Sequence, residues 1–229
     1  MSEITGEQID AMKKEADNLK GKLEVEIKVI GESAGQVQKQ KPGLEKLKKT
    51  MDDEGKQVVL LSSTQYHYEK LSAAKDEKAF AKIKDQRLDE VGKGERSQGA
   101  HDKSMAEFEN ELANLKRTTD AALERILIAR SFSKQYQEIV AKHDKACEQY
   151  NSEWTGGKIV GAREPIKITR DFAGELDGLE KPLLKEKEYF DTEAKVLPDI
   201  KADHKDDTKN FKYLRKTVEA AKFPFKGKK

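Results

Sequence analysis

The chain has 229 residues, of which 35% are hydrophobic and 38% charged, and its net charge is only +2. It is long enough to bury a core, carries no global field that would draw nucleic acid, and has one cysteine, Cys147, which excludes an internal disulfide framework. Its 15 glycines and 5 prolines are few, and its apolar residues recur periodically, which excludes a disordered chain.

The start, Met1-Ser2-Glu3-Ile4, is acidic and lacks the apolar segment of a signal peptide. The longest apolar runs, Val58 to Leu61 and Ile126 to Ala129, fall far short of the roughly 20 residues that span a bilayer. A cytoplasmic setting is expected, with association at the periphery of a membrane as its variant.

The first helix is expected over 5–40. Thr5 and Gln8 fit a capping box, and Ile4 with Ile9 a hydrophobic staple. The stripe runs Ile9, Met12, Ala16, Leu19, Leu23, Ile27, Ile30, Ala34, Val37. Leu23, Val25, Ile27 and Val29 also alternate as a strand would, but the helical stripe continues on both sides.

Pro42-Gly43 marks a turn, and a second helix is expected over 42–91. Its stripe starts at Leu44, Leu47 and Met51 and drifts through Val58, Leu61, Tyr68, Leu71, Phe80, Ile83, Leu88 and Val91. Gly92, Gly94 and Gly99 then predict a loop over 92–103.

Ser104 and Glu107 form another capping-box pattern, which predicts a helix over 104–154. Here the 3-4 spacing is unbroken. The core seam is Met105, Phe108, Leu112, Leu115, Ala122, Ile126, Ala129, Tyr136 and Val140, with Thr119 and Ser133 in register. His143 and Cys147 continue it, so the thiol is expected to be packed. Gly156-Gly157 stops this helix.

Lys158 to Phe172 has little helical character. Ile159-Val160 and Ile166 to Thr169 flank a Gly-Ala-Arg-Glu-Pro segment, which suggests a small hairpin or an ordered loop near 158–172, packed against Trp154. Kinked helices are expected over 173–222, with breaks at Pro182 and Pro198, followed by a basic tail, 223–229.

Together these elements predict an all-α fold: one elongated antiparallel helical bundle or coiled coil of about four long amphipathic helices, a single domain over 1–229. The alternative is two or three longer helices that dimerise.

Catalytic patterns are sparse. His101-Asp102 and His143-Asp144 are two-letter dyads, and His204 and Asp207 share a helical face, yet no histidine is preceded at i−3 by the Glu of a di-metal bundle. No phosphate loop, nucleophile elbow or zinc spacing is present. The reading is a non-enzyme without cofactor, metal, nucleic acid or small-molecule substrate.

What remains is surface charge. Lys39, Lys41, Lys46, Lys48 and Lys49 cluster at the expected first turn. Lys222, Phe223, Phe225, Lys226, Lys228 and Lys229 interleave charge with aromatic rings. Lysine beside aromatics suits an anionic membrane surface, while the absence of arginine suits phosphate-backbone recognition less well.

Long kinked amphipathic helices, prolines within them and basic patches together resemble, in layout, the helical membrane-shaping modules of the BAR type. That resemblance implies a dimer presenting a basic face to anionic lipid. The expected function is therefore binding or scaffolding, through self-association, a helical protein partner or an anionic membrane surface. The alternatives are a soluble α-helical pore-forming or translocator component, with 158–172 as an inserting tongue, and a metal-binding helical-bundle enzyme.

Overall fold

The computed structural model describes residues 4–152 and 161–226. The chain is all-α. Helix α1 spans Gly6–Ser62, α2 Thr64–Ser72, α3 Glu77–Ser152 and α4 Phe172–Ala220, and no strand occurs among the described residues. No helix there is long and apolar enough to cross a membrane.

Helix α1 starts where its capping box sits. Thr5 N–H donates to Gln8 Oε1 at 3.1 Å, and Gln8 N–H donates to Thr5 Oγ1 at 3.3 Å. The strand alternative for 23–30 would put Leu23, Val25 and Ile27 on one face. Instead Leu23 and Ile27 are buried while Val25 is 61% exposed, a split that only a helix makes.

The expected turn at Pro42-Gly43 is absent, because α1 runs through it. An interior proline forfeits a hydrogen bond and costs about 3 kcal/mol. A break there would cost more, because Val37 and Leu44, both at 0% exposure, stand two turns apart on one seam. Burying such side chains contributes about 1.5–3 kcal/mol each.

The true break lies at Ser63, whose hydroxyl accepts from Tyr66 N–H as the cap of α2. Asp76 then caps α3, its carboxylate accepting from Ala79 N–H at 2.7 Å.

The loop expected over 92–103 is also absent: the last part of the expected second helix joins the expected third as α3, while its earlier parts fall in α1 and α2. The seam continues through residues that a reading by hydrophobicity passes over. Arg87, Val91, Gly94, His101 and Met105 are buried in helical register, and between them Gln98 donates to Thr208 Oγ1 of α4. Ser104, the expected cap, is a buried interior residue. At the other end α4 passes through Pro182 and Pro198 as one helix. Among the described residues the helices number four, as expected, but three are long and one is short, with other bounds.

The chain clusters into two compact units. Unit 1 holds residues 1–39 and 116–189. Its helices run up-down-up. Ile9 packs with Ala146 and Cys147, and Glu26 pairs with Arg125, so α1 and α3 are antiparallel. Arg130 pairs with Asp177 and Glu180, and Lys187 with Asp120, so α3 and α4 are too. The core includes Leu23, Ile30, Ala122, Ile126, Ala129, Tyr136 and Leu176.

Unit 2 holds residues 40–115 and 190–229. Within it α3 and α4 are antiparallel, shown by Glu109 with Lys201 and Glu95 with Arg215, while α1 and α4 run parallel, shown by Lys48 with Glu193 and Ser62 Oγ donating to Asp207 at 2.6 Å. Its apolar clusters include Val58, Val91, Phe211 and Leu214, and, with α2, Leu71, Phe80, Val218 and Ala221.

The hairpin expected near 158–172 is not formed by the described part, 161–171, which has no regular structure; Trp154 and residues 158–160 lie outside the described residues. The physical reason is that side chains of α3 take the backbone bonds a partner strand would take. Asn151 receives Arg163 N–H at 3.0 Å and donates to Arg163 O at 2.9 Å, and Asp144 Oδ1 receives Ile166 N–H at 3.0 Å. Arg163 pairs with Asp10, and Arg170 with Glu24 and Glu175. The segment is an ordered strap across unit 1.

Candidate functional site: a basic aromatic groove

The nine seam residues Met105, Phe108, Leu112, Leu115, Ala122, Ile126, Ala129, Tyr136 and Val140 are all buried. They pack the core and are structural.

Of the two basic patches, the first disperses. Because α1 continues through Pro42, its lysines stand around a helix instead of crowding a turn. Lys39 is exposed on α1 in unit 1. In unit 2, Lys46 and Lys49 face water, Lys41 is half-buried, and Lys48 pairs with Glu193.

The second patch is gathered. The tail after α4 folds back onto unit 2. Phe225 is half-buried against the Leu71–Phe80–Val218–Ala221 cluster. Its ring meets Tyr68 edge-on at 5.3 Å, and Phe223 stands 6.0 Å from Phe80. An edge contact such as that with Tyr68 adds about 0.5–1.5 kcal/mol beyond area burial. Lys84 Nζ donates to Glu219 O at 2.6 Å and Ala221 O at 3.1 Å. A cation there satisfies the last carbonyls of α4 and its dipole. Lys228 and Lys229 lie outside the described residues.

Between the docked tail and α4 opens a groove of about 660 Å³. Lys216, Lys222 and Lys226 line it with Tyr68, Tyr213 and Phe225, and no carboxylate lines it among the described residues. All three lysines are exposed. The Tyr68 and Tyr213 hydroxyls are 3.3 Å apart. Burial, then the hydrogen bond with Tyr213, pushes the Tyr68 hydroxyl above its usual range, so it stays protonated.

Sequence reasoning finds the tail but misses Tyr68, Tyr213, Lys216 and Lys84. One signal existed: six Lys or Arg stand against one acid from Lys209 to Lys226. Nothing in the sequence pairs Tyr68 with a tyrosine 145 residues later.

The histidines are placed otherwise. His143 Nδ1 is 3.2 Å from Asp144, packed beside Cys147, whose thiol burial pushes above its usual range. Among the described residues no three His, Cys, Asp or Glu side chains converge as metal ligands would. His101 and His204 line a cavity of about 300 Å³ in unit 2, with ring centroids 4.7 Å apart and exposures of 3% and 7%. His67 is buried and donates through Nε2 to Leu61 O at 2.8 Å.

Burial lowers the pKa of both His67 and His101 below 6.5. Around His101, His204 of α4 reinforces the effect, while the Met51 carbonyl and Glu54 of α1 and Asp102 of α3 oppose it. Around His67, Arg87 reinforces it, and the Leu61 carbonyl and Glu90 oppose it. A lowered folded-state pKa means that the unfolded chain takes up protons first. Stability from these groups is therefore full above pH 6.5 and falls as pH drops toward the folded pKa values. Melting curves on either side of pH 6.5 are expected to show this loss, with a shallower slope in His101→Gln. A melting temperature indifferent to pH in that window contradicts it.

No protein-family model, curated protein or solved structure matches the chain. Its functional reading therefore rests on its own surface chemistry.

Proposed function

We propose that this protein is a non-enzymatic helical binding module that docks reversibly on anionic membrane surfaces through the C-terminal groove of unit 2. One observation carries the reading: Phe225 anchors the tail in an apolar cluster, which holds Lys222 and Lys226 out beside Lys216, and Phe223, next to Lys222 in the chain, stays 39% exposed. Lysine near an anionic bilayer contributes about 1 kcal/mol per charge, so three give about 3 kcal/mol. An aromatic ring reaching the headgroup level adds to this. The sum corresponds to weak, salt-sensitive association, and a second contact or copy would strengthen it by avidity.

The test is co-sedimentation with vesicles containing phosphatidylserine, at low and high salt. The full chain is expected to pellet at low salt and release at high salt. Lys216→Glu with Lys222→Glu should abolish pelleting, and Phe223→Ala should weaken it without changing the salt slope. A chain that stays in the supernatant at low salt overturns the reading.

A further inference from the structure

Resting on that reading, we infer that the groove selects a lipid headgroup carrying two or more phosphates on one ring, in preference to headgroups of single charge. A flat basic patch would answer only to surface charge density. Here the cations converge from separate directions: Lys216 from the body of α4, Lys222 just past its end, and Lys226 from the returning tail. A volume of about 660 Å³ lies within the range of small-ligand sites, about 300–1,000 Å³. It holds a phosphorylated ring, which a lone phosphate diester would leave largely empty.

The floor suits the same ligand. The Tyr68 and Tyr213 hydroxyls sit together at 3.3 Å and can turn a donor toward a phosphate or ring oxygen. Thr217 Oγ1 donates to Tyr213 O at 2.9 Å and also hydrogen-bonds the Tyr68 hydroxyl, which ties the floor together. Each phosphate monoester carries about −1.5 to −2 at neutral pH. Two of them match three ammonium groups in a groove that no carboxylate lines among the described residues. The anchoring of Phe225 against Tyr68 fixes Lys226 relative to α4 before any ligand arrives. That preorganisation separates headgroup selection from generic attraction.

The experiment compares the full chain on vesicles of equal surface charge, one set carrying phosphatidylserine and the other a phosphoinositide bisphosphate. Soluble inositol trisphosphate serves as competitor. At least tenfold tighter binding to the phosphoinositide vesicles is expected, with displacement by the soluble headgroup. Tyr213→Phe, which removes a hydroxyl and no charge, is expected to erase most of that preference while leaving phosphatidylserine binding within about twofold. The change is on an exposed side chain, and an unchanged melting temperature confirms the fold. Equal binding to the two vesicle types overturns headgroup selection and leaves membrane docking standing. Absence of binding to either removes both. Binding of the soluble headgroup without vesicle binding overturns the lipid as the source of the phosphates.

Discussion

Ile126→Asp is expected to lower the melting temperature by about 10 °C or more, while Leu127→Asp, one residue along, leaves it nearly unchanged. Ile126 is at 0% exposure, in the cluster that joins all three helices of unit 1. A carboxylate there loses about 1.5–3 kcal/mol of apolar burial and adds the cost of an unpaired buried charge. Leu127 is 65% exposed, so a charge there stays in water. Thermal melts followed by circular dichroism check the pair. Equal shifts in the two variants would mean that the register of α3 is wrong.

Gly94→Ala and Gly99→Ala are expected to move stability in opposite directions. Both glycines lie inside α3, where alanine gains about 1 kcal/mol of helix propensity. At Gly99 nothing stands within 4 Å of an added Cβ, so the gain is realised. At Gly94 the added atom falls inside van der Waals contact with the Phe211 ring and within 3.1 Å of Leu61 Cβ. Phe211 is 1% exposed and has no room to turn aside. Overpacking of this kind costs about 1–3 kcal/mol and exceeds the propensity gain. Chemical denaturation of both variants measures the contrast. A stabilised Gly94→Ala would mean that α3 and α4 do not meet there as described.

That glycine also shows where sequence reading succeeds and where it stops. The 3-4 stripe from Met105 to Val140 was readable because its residues are apolar and uninterrupted. The same stripe runs on toward Arg87, but Gly94, Gln98 and His101 carry it, inside the stretch that Gly92, Gly94 and Gly99 mark as a loop. Their fitness for the seam depends on Phe211 and Thr208, more than a hundred residues away. Pro42 misleads for a related reason: a local cost of about 3 kcal/mol loses to burial on both sides of it.

The candidate site was half legible. Charge and aromatic interleaving marked Lys222 to Lys226 from composition alone. The tail's docking against Leu71 and Phe80, and the tyrosine pair that floors the groove, are tertiary facts without a local signature. The other lysine cluster was plain in the sequence, yet a continuous helix spreads it around its circumference.

The strap over unit 1 has one further consequence. Cys147, the chain's sole cysteine, is 1% exposed, with Sγ 3.8 Å from the carbonyl oxygen of Glu164 in that segment. A thiol-alkylating reagent reaches it only when the covering peptide, or the start of α1 that packs on it through Ile9, lifts away. The rate of that single modification therefore acts as a clock, counting how often unit 1 uncovers its flank, without any engineered probe.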